Sequence, residues 1–177
     1  MKYKKSKETQ AHIISMAIDM IYAEGLEKIS LNKILKAAET SKGSFYHQFN
    51  SLDELINQVF KTITTYFFEE FSLSSTKMSK KSLKLIGKKI IYGNENQDKI
   101  SAVLFILISR SFSNNDLKKE LIEFRKRSLS ERNETIEETY VMLYDILVIG
   151  FLAQCQVVDN PVLLLDLWEE LVDQLLL

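Results

Sequence analysis

Three features of the chain predict an all-α fold. Only one proline and five glycines punctuate its 177 residues, too little turn chemistry for a many-stranded protein. Apolar residues recur at helical spacing along most of the length, and no run alternates convincingly between apolar and polar as a strand would. At 46% hydrophobic and 27% charged residues, the composition is that of a soluble globular protein able to bury a sizeable core.

The periodicity divides into about nine helices. From about 6 to 24, Ile13, Ile14, Ala17, Ile18 and Ile21 share one face, and Gly25 stands where a helix-ending C′ glycine belongs. In "SLNKILKAA", Ser30 is the expected N-cap, and Leu31, Ile34, Leu35 and Ala38 follow at i, i+3, i+4 and i+7. After a break at Glu39–Thr40, Ser41 caps a third helix over 41–49, in which Phe45 and Phe49 point into a core with Leu31, Ile34 and Leu35. Ser51 and Glu54 then form a capping box for a fourth helix running to Phe71. The polar stretch 72–82 breaks the pattern. Further helices are expected at about 79–92, 97–113, 115–132, 137–158 and 160–176.

The last two differ from the rest. Val141–Val158 holds one charged residue, Asp145, in 18 positions, the lower edge of a membrane span. Asp145, Gln154, Gln156 and the lack of basic flanks favour a buried helix instead. Helices apolar nearly all round need cover on two sides. One side suits the subunit core and the other a partner subunit.

Chemistry-bearing residues are sparse. His12 and His47 lie in separate helices and Cys155 is the single cysteine, so no nucleophile–base pair, metal cluster or disulfide framework is expected. This excludes an enzyme, a bound metal and a cofactor as first readings. The cysteine count and the absence of an apolar leader after "MKYKKSKETQ" suit a cytoplasmic protein. Charge is uneven: residues 1–50 carry eight Lys and five Asp/Glu, and four lysines (Lys2, Lys4, Lys5, Lys7) crowd the first seven positions. Such an arm suits phosphate.

The sharpest signal is "KAAETSKGSFYHQF". A purely structural helix would not spend Gly43, Ser44, Tyr46 and His47 on one short segment, because Gly costs roughly 1 kcal/mol in a helix interior. Short helix, tight break and second short helix with outward polar residues is the layout of a helix-turn-helix, whose second helix enters the DNA major groove. Gly43 lets backbone approach closely. Ser44 is short enough for a base edge or thymine methyl, Tyr46 and His47 can donate to phosphates, and Lys42 adds charge.

Residues Gly25–Phe60 resemble the DNA-binding domain of the TetR family of bacterial transcription regulators. Ser30, Ser41, Gly43, Phe45, Tyr46 and Phe49 occupy the family's pattern, and the resemblance covers about residues 6–60. It implies a three-helix DNA-binding domain over 1–50, with helix four (51–72) connecting, and a helical ligand-sensing and dimerisation domain over 51–177. Carried over by position, the DNA-contacting set is Ser30, Thr40, Ser41, Lys42, Gly43, Ser44, Tyr46 and His47. The resemblance further implies a homodimer on a near-palindromic double-stranded operator, repressing until a small hydrophobic or aromatic ligand releases it. Tyr92, Phe105, Phe112, Tyr140, Tyr144, Gln154 and Cys155 are the candidate pocket, and Phe151, Leu164, Trp168 and Leu171 the candidate dimer interface. Two residues depart from the family. Glu39 stands where glycine is usual in the turn, and Leu52 stands where lysine usually follows the capping serine. These departures leave a protein-interaction adaptor on a degenerate helix-turn-helix as the alternative.

Overall fold

The computed structural model describes residues 2–71, 79–130 and 138–175. They form α1 (Lys2–Glu24), a 3-10 turn (Leu26–Lys28), α2 (Leu31–Ala37), α3 (Lys42–Gln48), α4 (Leu52–Phe71), α5 (Lys80–Ile91), α6 (Glu95–Ser111), α7 (Asn115–Ser130), α8 (Glu138–Cys155) and α9 (Leu163–Leu175), with no strand among the described residues. The expected helices are all present. The 3-10 turn was not foreseen, and α8 and α9 are trimmed on either side of Pro161. Among the described residues no helix is long and apolar enough to cross a membrane.

Two compact units divide the chain. The first is Met1–Thr65 with Ala102–Ile122, and the second is Tyr66–Ser101 with Glu123–Leu177. In the first, Ile13, Ala17 and Ile21 of α1, Ile34 of α2, Phe45 and Phe49 around α3, and Leu55, Val59, Phe60 and Ile63 of α4 are buried. Leu31 and Leu35 are only half-buried, because seven-residue α2 turns a single residue, Ile34, fully inward. Gly25 ends α1 at φ 84°, ψ 157°, a region essentially closed to side chains. The Lys33 ammonium binds Glu24 and holds its carboxyl below the usual range, tying the end of α1 to α2.

The expected capping box at α4 is displaced by one residue. Ser51 Oγ accepts from Glu54 N–H at 3.0 Å, but the Glu54 carboxylate reaches back to Asn50 N–H at 2.7 Å rather than to Ser51. A reciprocal box occurs instead at α5, where Ser79 and Ser82 cap each other's N–H.

The second unit is organised around Trp168 of α9, 2% exposed. Its indole Nε1–H donates to Leu83 O of α5 at 2.8 Å, and its ring packs on Phe151 of α8, centroids 4.6 Å apart. The indole lies directly over Gly87, where any Cβ would collide with it. Lys84–Asp173 (2.6 Å) and Lys88–Glu169 (3.3 Å) fasten the same two helices at their exposed edge. Such exposed pairs contribute little, so the indole contact dominates. Gly87→Ala should therefore destabilise the fold by roughly 1–3 kcal/mol through overpacking, read by denaturant unfolding followed on the fluorescence of this single tryptophan.

Candidate nucleic-acid interface

The candidate interface is built on α3 and the turn before it. Helix α2 ends in a Schellman arrangement: Thr40 N–H reaches Leu35 O at 3.0 Å and Glu39 N–H reaches Lys36 O at 3.3 Å. This requires a left-handed residue at 39, and Glu39 has φ 46°, the only positive φ of a non-glycine residue among those described. Two residues on, Ser41 Oγ accepts from Ser44 N–H at 3.1 Å and starts α3. Phe45 and Phe49, with ring centroids 5.4 Å apart, are wholly buried. These two anchors fix which face of α3 turns outward.

That outward face carries Lys42, Gly43, Tyr46 and His47, all exposed, while Ser44 and Thr40 are half-buried. Tyr46 is held edge-on against Phe45, centroids 5.5 Å apart, and the Lys42 ammonium sits 5.9 Å from its ring centroid. The two capping hydroxyls are already engaged within the protein: Ser30 Oγ lies 3.5 Å from Lys33 N, and Ser41 Oγ accepts from Ser44. Gly43 has no internal reason to be glycine. Its φ is not positive, and a Cβ there would meet nothing nearer than Ser41 Oγ at 3.9 Å.

The two departures have different physical accounts. Leu52 is half-buried and, with Leu26, Ile29, Ile56 and Leu117, lines a cleft of about 160 Å³ in the first unit. Arg110 and Glu27 pair at its rim at 3.3 Å. Leu52 thus has a packing role. Glu39 has none: it is exposed and carries the strained backbone.

Sequence reasoning passed over Gln48. It is half-buried and its side chain bonds Ser6 of α1 and contacts the His47 ring. Only its place between two candidate contact residues and a buried Phe hinted at this.

The other candidates are spread more widely. Tyr92 is 66% exposed and Phe112 84% exposed, so neither is enclosed in a cavity. Phe105 is half-buried in the first unit, and the side chains of Tyr140 and Tyr144 lie outside the described residues. Cys155 is half-buried, and burial, then the Asp98 carboxylate, pushes its thiol up to about 11. That makes it a poor nucleophile at neutral pH. Gln154 falls with Phe151, Leu164, Trp168 and Leu171 on one open apolar groove of about 270 Å³ between α8 and α9. Trp168 forms its floor, while its lining residues Ile146 and Leu167 stand 65% and 63% exposed.

Known proteins resemble the chain in both sequence and fold. Residues 13–59 match the family model described as bacterial regulatory proteins, tetR family, a span that includes every candidate DNA contact. The uncharacterized HTH-type transcriptional regulator YvdT of Bacillus subtilis is 25% identical over 162 residues, covering 89% of this chain and 74% of that protein. Among solved structures, Salmonella enterica GusR has the same fold with TM-score 0.75 and 16% identity, over 96% of this chain and 95% of its own. The multidrug binding protein EbrR complexed with malachite green does so with TM-score 0.75 and 15% identity, over 95% and 98% of the two chains.

Glu39→Gly should stabilise the protein by roughly 1 kcal/mol, the left-handed penalty removed less the entropy glycine adds to the unfolded chain. Thermal unfolding of the two proteins checks this, and an unchanged or lower midpoint would show that Glu39 is not strained.

Proposed function

We propose that this chain, which belongs to the TetR family of DNA-binding transcriptional regulators and is not an enzyme, acts as a homodimeric repressor released from a near-palindromic operator by a small molecule. The observation that carries the DNA reading is Gly43. A glycine in a helix with open space above it and an ordinary φ costs stability and returns nothing inside the protein. A surface that must come within backbone distance of a ligand accounts for it. Around it stand Lys42, Ser44, Tyr46 and His47, a set of short and polar groups that suits phosphates and base edges in a major groove. Thr40, Ser41 and Ser30 flank that surface at helix ends.

Dimerisation is supported by the second unit. The apolar groove of α8 and α9 opens to solvent, bordered by exposed Ile146 and Leu167. A second copy would cover it and set two α3 helices about 34–36 Å apart, one helical turn of DNA. In the proposed cycle a small apolar or aromatic ligand, of the kind EbrR holds, favours a dimer with wrongly spaced reading helices. Coupling of about 1–3 kcal/mol is typical of such switches. Helix α4, which contributes residues to both units, is the natural lever. The proposed site of action is the cytoplasm.

Two experiments test this. In a binding titration against the chain's own upstream DNA at two salt concentrations, wild type should bind selectively and less tightly at high salt. Tyr46→Phe should weaken binding roughly tenfold, the value of a charged hydrogen bond. Gly43→Ala should also weaken it while stabilising the free protein by up to about 1 kcal/mol. Undiminished DNA binding by Gly43→Ala would remove the main support for the reading. In sedimentation, Leu167→Glu should convert a dimer to a folded monomer, because this exposed side chain contributes little to its own subunit; an unchanged mass would place any interface elsewhere.

A further inference from the structure

We propose that Gln48 is a positioning residue of the DNA interface, locking the start of α1 to the end of α3 and setting the His47 ring with its Nε2–H outward as a donor to DNA phosphate. This rests on the reading of α3 as the DNA-contacting helix. The Gln48 side-chain Nε2 lies 2.9 Å from Ser6 Oγ and 3.3 Å from His47 Nδ1. An amide nitrogen has two hydrogens and no acceptor capacity, so both hydrogens are used: one on Ser6, one on the imidazole. With the amide in this orientation, Nδ1 accepts. In a neutral ring this leaves the proton on Nε2, away from Gln48. His47 is exposed, and the orientation converts a ring that could present either a donor or an acceptor into one that presents a donor.

The other end of the bridge spans 42 residues of sequence. Ser6 Oγ also lies 3.4 Å from Gln48 Oε1, so hydroxyl and amide face each other closely. The bond holds the second turn of α1 at the C-terminal end of α3. Four of the first seven residues of the chain are lysines, and Ser6 lies among them in sequence. Gln48 is thus used three ways, by a serine, a histidine and the helix that carries it, without itself facing out.

The test uses the full chain with Ser6→Ala, Gln48→Met, which keeps volume without the amide, and the double variant. In mildly alkaline buffer, nitrogen-15 spectra of the free protein should show His47 as the single Nε2-protonated tautomer in wild type and as a mixture in Gln48→Met. His12, the only other histidine, serves as internal control. On operator DNA each single variant should bind roughly 3- to 10-fold more weakly. The double variant should bind no worse than Gln48→Met. A mixed tautomer in wild type, or variants that keep wild-type affinity, would overturn the proposal. Because the spectra need no DNA, the clamp can be confirmed or refuted even if wild type proves to have no operator, a result that would count only against the DNA reading.

Discussion

The proposed reading surface depends on one backbone conformation. With Glu39 left-handed, the chain leaves α2 through two hydrogen bonds from Glu39 and Thr40 to the last turn of that helix, then enters α3 at Ser41 with no further freedom. Were residue 39 to relax to negative φ, both bonds would break and α3 would swing away from its anchors. An L-residue pays about 1–2 kcal/mol for this conformation, and a carboxylate near the carbonyl end of α2 adds an unfavourable interaction with the helix dipole. The conformation is held because Phe45 and Phe49, buried immediately beyond it, contribute more than the strain costs: fully burying one large apolar side chain stabilises by about 1.5–3 kcal/mol.

Those anchors also explain how so short a helix exists. Seven residues lie far below the length at which an isolated helix is stable in water, and Gly43, Ser44 and His47 are poor formers. Helix α3 is therefore tertiary in origin, capped at one end by Ser41, pinned through two aromatic rings, and tied at the other end through Gln48 to Ser6. With its inner face so committed, its outer face is free to carry residues chosen for something other than folding. A helix that owed its stability to its own propensities could not have held a glycine and three small or polar residues in two turns.

How much of this was legible follows from the range of each interaction. Periodicity and caps are local, so the helix order, Ser30, Ser41 and the exposed set Lys42, Gly43, Tyr46 and His47 could be read directly, whereas Glu39's strain was implied only by the family resemblance, in which glycine is usual at that place. What depends on distant partners could not. Gly87 looks like a helix-weakening residue until Trp168, 81 positions later, is seen lying across it. Leu52 reads as a missing lysine until Leu26 and Leu117 are seen to share its cleft. Glu54 was expected to close on Ser51 and instead reaches Asn50, one residue beyond the box geometry, because Asn50 offers it both a backbone and a side-chain donor. The aromatics Tyr92 and Phe112 show the opposite failure: helical spacing makes any aromatic look internal, yet both sit at helix C-termini, where the periodic face has already run out.

The smallness of the reading surface bears on the rest of the chain. On the proposed reading, a helix of two turns presenting Lys42, Ser44, Tyr46 and His47 would address only a few base pairs, with each mismatch worth about 1–3 kcal/mol. One such helix cannot pick a site from millions of competitors, whereas two, rigidly spaced, multiply their discrimination. On the proposed reading, this gives a physical purpose to the costliest feature of the second unit. The exposed leucines and isoleucine along α8 and α9 would be a solubility liability in a monomer. In the proposed dimer they would become the element that sets the spacing of the two α3 helices, and a ligand would need only to bias how that face is packed to change what the α3 surfaces bind.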